Sequence, residues 1–288
     1  MIVLILYNPI GAYDNKIVEE KKNAHNDIIT NIRHYYYSIQ KMDLVMSISR
    51  DNNLKIWNLS DWNLLTDIKK VYDKGDLDSA CFLNDNNQIY ILTGNEMSSS
   101  KIAEPIKIYN LKGNKIKEID DSNFTTYFID IYYDKKLSKN FIITGNLGYV
   151  MSYDYNEMKM YHKYIDGNNS SCHCSIVVNS NENMIKLFES GYDGSIRIWN
   201  FHSGLMLNKI KVNDSKLYSI CFFNNIYLFV GCHDKTIKII DLEKGVVSKD
   251  LTNHKTRVIG VKMFNYSYTS YLLSQGNSNG QIKLWKTE

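Results

Sequence analysis

Residues 45–59 read VMSISRDNNLKIWNL, which is an apolar strand, a short polar turn and a second strand that ends in an aromatic residue. Five further segments repeat this order: residues 91–95 with 106–111, 142–155, 187–201, 228–242 and 272–286. The residues at the position of Trp57 are Tyr109, Tyr153, Trp199, Ile240 and Trp285. Consecutive members of this series lie 41 to 52 residues apart.

This spacing predicts an all-β chain, because a period of about 40–45 residues with several strands per unit is typical of a β-propeller. Each unit is expected to contain four antiparallel strands, a to d. In the first unit they are predicted at residues 28–36, 44–49, 54–59 and 64–71. Such a blade can bury its faces only against neighbouring blades, so we expect one domain over residues 1–288.

The composition fits a folded domain and excludes several classes of protein. Hydrophobic residues make up 44% of the chain and charged residues 23%, which argues against disorder. A net charge of +3 is low for a dedicated nucleic-acid binder. No apolar stretch approaches the ~20 residues that cross a bilayer. The five cysteines show no disulfide framework, so we expect a cytoplasmic or nuclear location.

The two ends of the chain leave the number of blades open. The last repeat reaches its third strand at Trp285, and residues 16–20 stand where a fourth strand would precede the first repeat. Residues 1–24 are therefore expected to close the ring formed by six repeats in residues 25–288. Residues 4–8 resemble a third strand, which predicts an N-terminal c–d hairpin beside blade six. A partial seventh blade and a ring completed by another chain are alternatives.

The repeats resemble the WD-repeat family over residues 25–288. The first repeat matches the family motif best, with His25, Ser47, Asp51 and Trp57. The resemblance implies that these four residues form a hydrogen-bonded chain inside one blade. The physical reason is that a buried indole N–H needs an acceptor.

The other repeats depart from this motif, so a complete network is expected in the first blade alone. The departures are Asp73 for His in repeat two, Leu147 for the turn Asp in repeat three, Glu189 for Ser in repeat four, Asn213 for His and Ile240 for Trp in repeat five, and Asn279 for Asp in repeat six.

Three short motifs suggest other chemistry, and each has a plainer interpretation that we favour. Cys172-His173-Cys174 is half of a metal site, but structural zinc needs about four ligands. Its plainer interpretation is a strand with Cys172 and Cys174 on one face. His233-Asp234 is either a catalytic pair or a family-type turn. Residues 33–37, RHYYY, mix basic and stacking side chains, or form an ordinary strand and loop. We expect no metal and no cofactor.

The resemblance also implies a docking face, formed by the turns between strands d and a and between strands b and c. The residue before the turn Asp is expected to be exposed there. The predicted partner-binding residues are Arg50, Tyr192, His233, Arg257 and Ser278. Arginine and aromatic residues are typical interface anchors.

The resemblance to the WD-repeat family, together with the lack of a recognisable catalytic motif, implies a non-catalytic scaffold that binds other proteins or peptides. One alternative is a ribosome-associated propeller similar to the receptor for activated C kinase, which would contact nucleic acid in a ribosomal context. A second alternative is an enzyme with its site at the central channel.

Overall fold

The computed structural model describes residues 2–4, 19–21, 24–97, 103–119, 122, 124–167, 172–181, 184–266, 269–276 and 282–286. Every regular element in this part of the chain is a β-strand. The strands form successive small antiparallel sheets, in which each strand pairs with the next one in sequence. This is the blade pattern of a β-propeller, and the predicted fold class is confirmed.

The first compact unit spans Met1–Thr125 and contains blades one and two. Its strands are β1 (Ile2–Leu4), β2 (Glu19–Lys21), β3 (Ile29–Tyr37), β4 (Met42–Ser49), β5 (Leu54–Asn58), β6 (Leu64–Ile68), β7 (Asp76–Asp85), β8 (Gln88–Glu96), β9 (Ile106–Asn110) and β10 (Lys115–Ile119). Blade one consists of β3 to β6 and blade two of β7 to β10. The four strands predicted for blade one agree with these bounds to within a few residues.

The second compact unit spans Thr126–Glu288 and contains blades three to six. Its strands are β11 (Phe128–Asp134), β12 (Lys139–Asn146), β13 (Tyr149–Asp154), β14 (Lys159–Tyr164), β15 (Cys172–Asn181), β16 (Met184–Gly191), β17 (Ser195–Asn200), β18 (Met206–Lys211), β19 (Leu217–Phe223), β20 (Tyr227–Cys232), β21 (Ile237–Asp241), β22 (Val246–Leu251), β23 (Val258–Tyr266), β24 (Thr269–Gly276) and β25 (Ile282–Lys286). Blades three, four and five have four strands each, and blade six has three described strands.

The N-terminal strands β1 and β2 form an antiparallel pair of their own, with Val3 opposite Glu20. Residues 5–18 lie outside the described residues, and with them most of the predicted closing strand. The closing role of residues 1–24 and the single domain over residues 1–288 therefore stay predictions.

A one-residue register shift recurs near the start of strand a. It lies at Ile29/Asn31 in blade one, Leu77/Ser79 in blade two, Cys172/Cys174 in blade four, Leu217/Ser219 in blade five and Val258/Gly260 in blade six. Such a bulge inserts one extra residue and reverses the alternation of side chains between the two faces.

The bulge in β15 shows that the prediction of Cys172 and Cys174 on one face was wrong. Cys172 packs against Gly145 of blade three, in a cluster that includes Phe141. Cys174 packs instead against the cluster between blades four and five, with its Sγ 3.9 Å from the Ile220 carbonyl oxygen. The two thiols therefore belong to different blade interfaces.

Apolar side chains fill the interfaces between consecutive blades of the second unit. Between blades four and five, Phe188, Ile196, Ile220 and Val230 belong to one buried cluster. The Phe188 ring packs edge-to-face on Phe222, with 4.9 Å between ring centroids. Burial of apolar area stabilises these contacts by roughly 25 cal/mol per Å².

The b–c turn of blade four packs directly on the segment that leads into blade five. Gly194 has φ +73°, and a Cβ at this residue would lie 2.1 Å from the carbonyl oxygen of Asn213. The Gly194 carbonyl accepts the backbone N–H of Val212 at 2.9 Å. Only glycine combines this left-handed conformation with so close a backbone approach.

Gly194→Ala is expected to lower the free energy of unfolding by more than about 3 kcal/mol, because a left-handed L-residue already costs about 1–2 kcal/mol and the clash adds to it. Gly245→Ala is the matched control, since Gly245 has φ +68° but its nearest neighbour would lie 4.0 Å away. Urea unfolding followed by tryptophan fluorescence measures both. Equal losses would show that the close approach is unimportant.

Candidate functional site

Blade one brings His25, Ser47, Asp51 and Trp57 together in one polar chain. The Trp57 indole N–H donates to Ser47 Oγ at 3.0 Å, and this oxygen lies 2.9 Å from His25 Nε2. His25 Nδ1 lies 3.2 Å from each carboxylate oxygen of Asp51. The chain therefore connects strand c, strand b, the segment before strand a and the b–c turn of the same blade.

The charges of this chain follow from burial and hydrogen bonding. Burial lowers the pKa of His25 and outweighs the opposing effect of Asp51, so the imidazole is neutral at pH 7. Burial acts to raise the pKa of Asp51, but the N–H groups of Asn26 and Asn53, together with His25, hold it below its usual value. A neutral imidazole then donates from Nδ1 to Asp51 and accepts the Ser47 hydroxyl at Nε2.

The Ser47–His25–Asp51 order is also that of a nucleophilic triad, but its environment does not suit catalysis. Ser47 has 0% of its surface exposed, and its oxygen already accepts the indole N–H of Trp57. A catalytic serine must reach a substrate carbonyl. The arrangement therefore links strands within the blade.

Blade six contains the same three-residue core. His254 Nε2 lies 2.8 Å from Ser274 Oγ, which also accepts the Trp285 indole N–H at 2.8 Å. Asn279, at the position of Asp51, lies outside the described residues. Blade six therefore shares three of the four members of the network, and the expectation that blade one alone has the complete network stays a prediction.

Blade four gives its tryptophan a charged network instead. The Trp199 indole N–H donates to Glu189 Oε2 at 3.1 Å. The Arg197 guanidinium, 1% exposed, donates to Asp166 at 2.6 Å and to Asp193 at 2.7 Å, and lies 3.6 Å from Glu189. Removing either member of such a buried pair is strongly destabilising, because it leaves an uncompensated charge.

Glu189 is the residue of this network that titrates near neutral pH. Burial raises its pKa from 4.5 to about 7, although Arg197 and Trp199 oppose the shift. Lys209 joins the network, with its Nζ 2.9 Å from Asp166. With Glu189 protonated, the cations Arg197 and Lys209 balance the anions Asp166 and Asp193, and with Glu189 ionised the group carries a net charge of −1.

Blades two and five retain partial links. In blade two, Asp73, which the sequence aligns with His25, is exposed and paired with Lys70 at 2.8 Å. The neighbouring Tyr72 forms the buried link instead, and its hydroxyl donates to the Thr93 carbonyl at 2.6 Å. In blade five, the Asn213 amide donates to Asp234 at 3.0 Å.

Five side chains meet at the turns of blades four, five and six, and we name them the turn cluster: Tyr192, Lys216, Tyr218, His233 and Arg257. The Tyr192 and Tyr218 rings lie edge-to-face at 6.0 Å, and His233 lies 6.1 Å from Tyr218. Lys216 Nζ lies 4.1 Å from the Tyr192 ring centroid, and the Arg257 guanidinium 5.6 Å from that of Tyr218.

Sequence reasoning identified three members of the turn cluster and missed Lys216 and Tyr218. Tyr218 is the extra residue of the bulge between Leu217 and Ser219, so a regular strand alternation does not indicate its direction. The repeats did contain a local signal for Tyr218, because most blades have a bulge residue at the same place, just after the segment that joins strand d to strand a.

The other two residues predicted for the docking face, Arg50 and Ser278, are not members of the turn cluster. Arg50 is exposed in the b–c turn of blade one, within the first unit. Its charge acts on Asp78, whose pKa burial and Glu96 raise to about 7 against the opposing effect of Arg50. Asp78 is the bulge residue of blade two. Ser278 lies outside the described residues.

The described residues show neither a cluster of metal ligands nor a membrane-spanning helix. Within them, no group of three or more His, Cys, Asp or Glu side chains is arranged to hold a metal. They also contain no helix, and so none that is long and apolar enough to cross a bilayer.

Parts of the chain are similar to proteins of known name. It is 29% identical over 100 residues to the small ribosomal subunit protein RACK1y of Oryza sativa subsp. japonica, covering 33% of this chain and 30% of that protein. It is 27% identical over 99 residues to the U3 small nucleolar RNA-associated protein 21 homolog of Schizosaccharomyces pombe, covering 34% and 11%. It is 27% identical over 110 residues to RACK1 of Medicago sativa, covering 33% and 34%.

Blade pattern, tryptophan networks and sequence similarities agree. They support a WD-repeat propeller. No family model matches the chain. The aligned segments span about a third or less of the length of these relatives.

Ser47→Ala removes the acceptor of the Trp57 indole and is expected to lower the free energy of unfolding by about 1–3 kcal/mol. Ser60→Ala, at an exposed turn of the same blade, is the control and should change it by less than about 0.5 kcal/mol. Urea denaturation gives both values. If the two variants are equally stable, the network does not stabilise the blade.

Glu189→Gln is expected to remove a pH dependence of stability, since glutamine mimics the protonated acid. A raised folded-state pKa means that the stabilisation by Glu189 is complete below about pH 4.5 and is lost as the pH rises through about 7. Over this pH range, the free energy of unfolding of the wild type should therefore fall by at most about 3 kcal/mol relative to that of the variant.

Chemical denaturation at pH 4.5, 6 and 8 measures this difference in unfolding free energy. Glu243→Gln, which removes an exposed turn carboxylate, is the control and should show a constant difference. A constant difference for Glu189→Gln as well would disprove the assignment of the proton.

Proposed function

We propose that this protein is a non-catalytic scaffold that binds other proteins through the turn cluster, with Arg50 as a further contact in blade one. The observation that carries the proposal is the turn cluster itself. It combines tyrosine, histidine, lysine and arginine side chains, with His233 and Arg257 exposed. Of these, tyrosine and arginine are among the residues that contribute most binding energy at protein interfaces.

The internal contacts of the turn cluster favour docking. Tyr192 contacts both Tyr218 and Lys216, so its ring is held in place before a partner arrives. Preorganised side chains lose less entropy on binding. The clustered Arg197 network also fixes Asp193, the neighbour of Tyr192, through a 2.7 Å ion pair.

The polar networks support a scaffold more than an enzyme. Ser47, the one hydroxyl placed beside a His–Asp pair in blade one, is buried against Trp57. The networks of blades one, four and six hold tryptophans on strand c. These hydrogen bonds and ion pairs fix the positions of the strands within each blade.

A ribosome-associated function is the second candidate, because two of the similar proteins are named small ribosomal subunit proteins. It would place the protein in the cytoplasm, while the nucleolar RNA-associated relative is compatible with a nuclear location. This candidate requires binding to ribosomal RNA that weakens steeply with salt. Co-sedimentation with ribosomes at 50 and 300 mM salt tests it.

Tyr192→Ala, Arg257→Ala and Arg50→Ala are each expected to reduce capture of partner proteins by roughly ten-fold, since an anchor residue contributes about 1–2 kcal/mol or more. Affinity capture from the source cell with quantitative mass spectrometry measures this. Tyr133→Ala is the matched control. Tyr133 is a tyrosine with 51% of its surface exposed, and it lies beside the a–b turn of blade three, at the end of strand a opposite the d–a turn.

Thermal unfolding shows whether each variant remains folded. Unaltered capture by all three folded variants would exclude the proposed docking surface. Loss of capture in Tyr133→Ala to the same extent would mean that the effect is not specific to the turn cluster.

A further inference from the structure

We infer that the turn cluster selects an acidic, Asp- and Glu-rich segment of its partner, with Lys216 and Arg257 as the residues that recognise the carboxylates. This inference rests on the proposed function, because it names the chemistry of the partner that docks there.

The two cations are held at the surface by aromatic rings. Lys216 Nζ lies 4.1 Å from the Tyr192 ring centroid, and Arg257 Nη1 lies 3.4 Å from the Tyr218 hydroxyl oxygen. Cation–π contact attracts a cation to the ring without neutralising its charge. Both groups therefore present a positive charge in a defined place, and the guanidinium can bind a carboxylate with two parallel hydrogen bonds.

The turn carboxylates next to the cluster are bound within their own blades. Asp193, beside Tyr192, accepts from the Ser195 backbone N–H at 3.1 Å and pairs with Arg197 at 2.7 Å. These contacts direct its charge away from the cluster and into blade four.

The turn carboxylate next to His233 is likewise bound within its own blade. Asp234, beside His233, accepts from the Thr236 hydroxyl at 2.6 Å and from the Asn213 amide at 3.0 Å. Asp214 is fully exposed and lies 3.3 Å from Lys211. Asp193, Asp234 and Asp214 thus each have a partner nearby, and Lys216 and Arg257 are the cations of the turn cluster that an acidic partner would complement.

The ring geometry favours a peptide over single-stranded RNA. Proteins that bind single strands offer open aromatic faces on which bases stack. Here an ammonium lies over the Tyr192 ring and a guanidinium over the Tyr218 ring, while Tyr192 and His233 contact Tyr218. One face of the Tyr192 ring and one face of the Tyr218 ring are thus occupied by cations, which leaves less ring surface for bases to stack on.

The test selects a phage-displayed library of random dodecapeptides against the full chain. The wild type should enrich Asp and Glu at least three-fold over the starting library. The double variant Lys216→Gln with Arg257→Gln, which preserves polarity and removes both charges, should lose this enrichment. The charge-preserving double variant Lys216→Arg with Arg257→Lys should keep most of it, which separates loss of charge from loss of packing.

Lys135→Gln with Lys136→Gln is the matched control, because it removes two exposed lysines at the a–b turn of blade three. This variant should select the same acidic peptides as the wild type. Thermal unfolding of each variant confirms that it is folded before selection.

Three results would overturn the inference. They are no acidic enrichment with the wild type, equal enrichment with the charge-removing variant, and tighter binding of a twelve-nucleotide uridine RNA than of the selected peptides. If any of them occurs while Tyr192→Ala still reduces partner capture, the scaffold proposal stands and only the partner chemistry is wrong. If capture by the Tyr192→Ala, Arg257→Ala and Arg50→Ala variants is unaffected as well, both are wrong.

Discussion

A buried indole N–H must have an acceptor, and three blades of this protein are organised around that requirement. Trp57 and Trp285 donate to serine hydroxyls, and Trp199 donates to a glutamate. In each blade the tryptophan lies on strand c and the acceptor on strand b. A second link then reaches the segment before strand a. Because an unsatisfied buried donor costs about 1–3 kcal/mol, this requirement fixes how the strands of a blade are arranged.

Blade four shows that the same requirement can be met by charge, with a different consequence. Replacing the serine by Glu189 brings a carboxyl group into a buried position, where Arg197 and two aspartates complete the network. A neutral balance of charge then needs one proton on Glu189. The network ends at Asp193, the neighbour of Tyr192, so the internal chemistry of the blade also positions a residue of the turn cluster.

The bulges in strand a connect the internal networks to the surface. Each bulge adds a residue just after the segment that the polar network holds, and in blade five that residue is Tyr218. Its ring touches Tyr192, His233 and Arg257, which come from three consecutive blades of the second unit. A surface of this kind arises only where neighbouring blades contribute to it, so no single repeat could form it.

The sequence by itself determined the all-β class, the period of the blades and the strand positions of blade one, because strand alternation and turn chemistry are local properties. It also indicated His25, Ser47, Asp51 and Trp57 as one group. Only the tertiary structure decided that Tyr72 forms the buried link beside Asp73, that Cys172 and Cys174 face different interfaces, and that Tyr218 joins the turn cluster. The physical reason is that a one-residue bulge reverses side-chain direction, and that the burial of a charge such as Arg197 depends on partners like Asp166 that are distant in sequence.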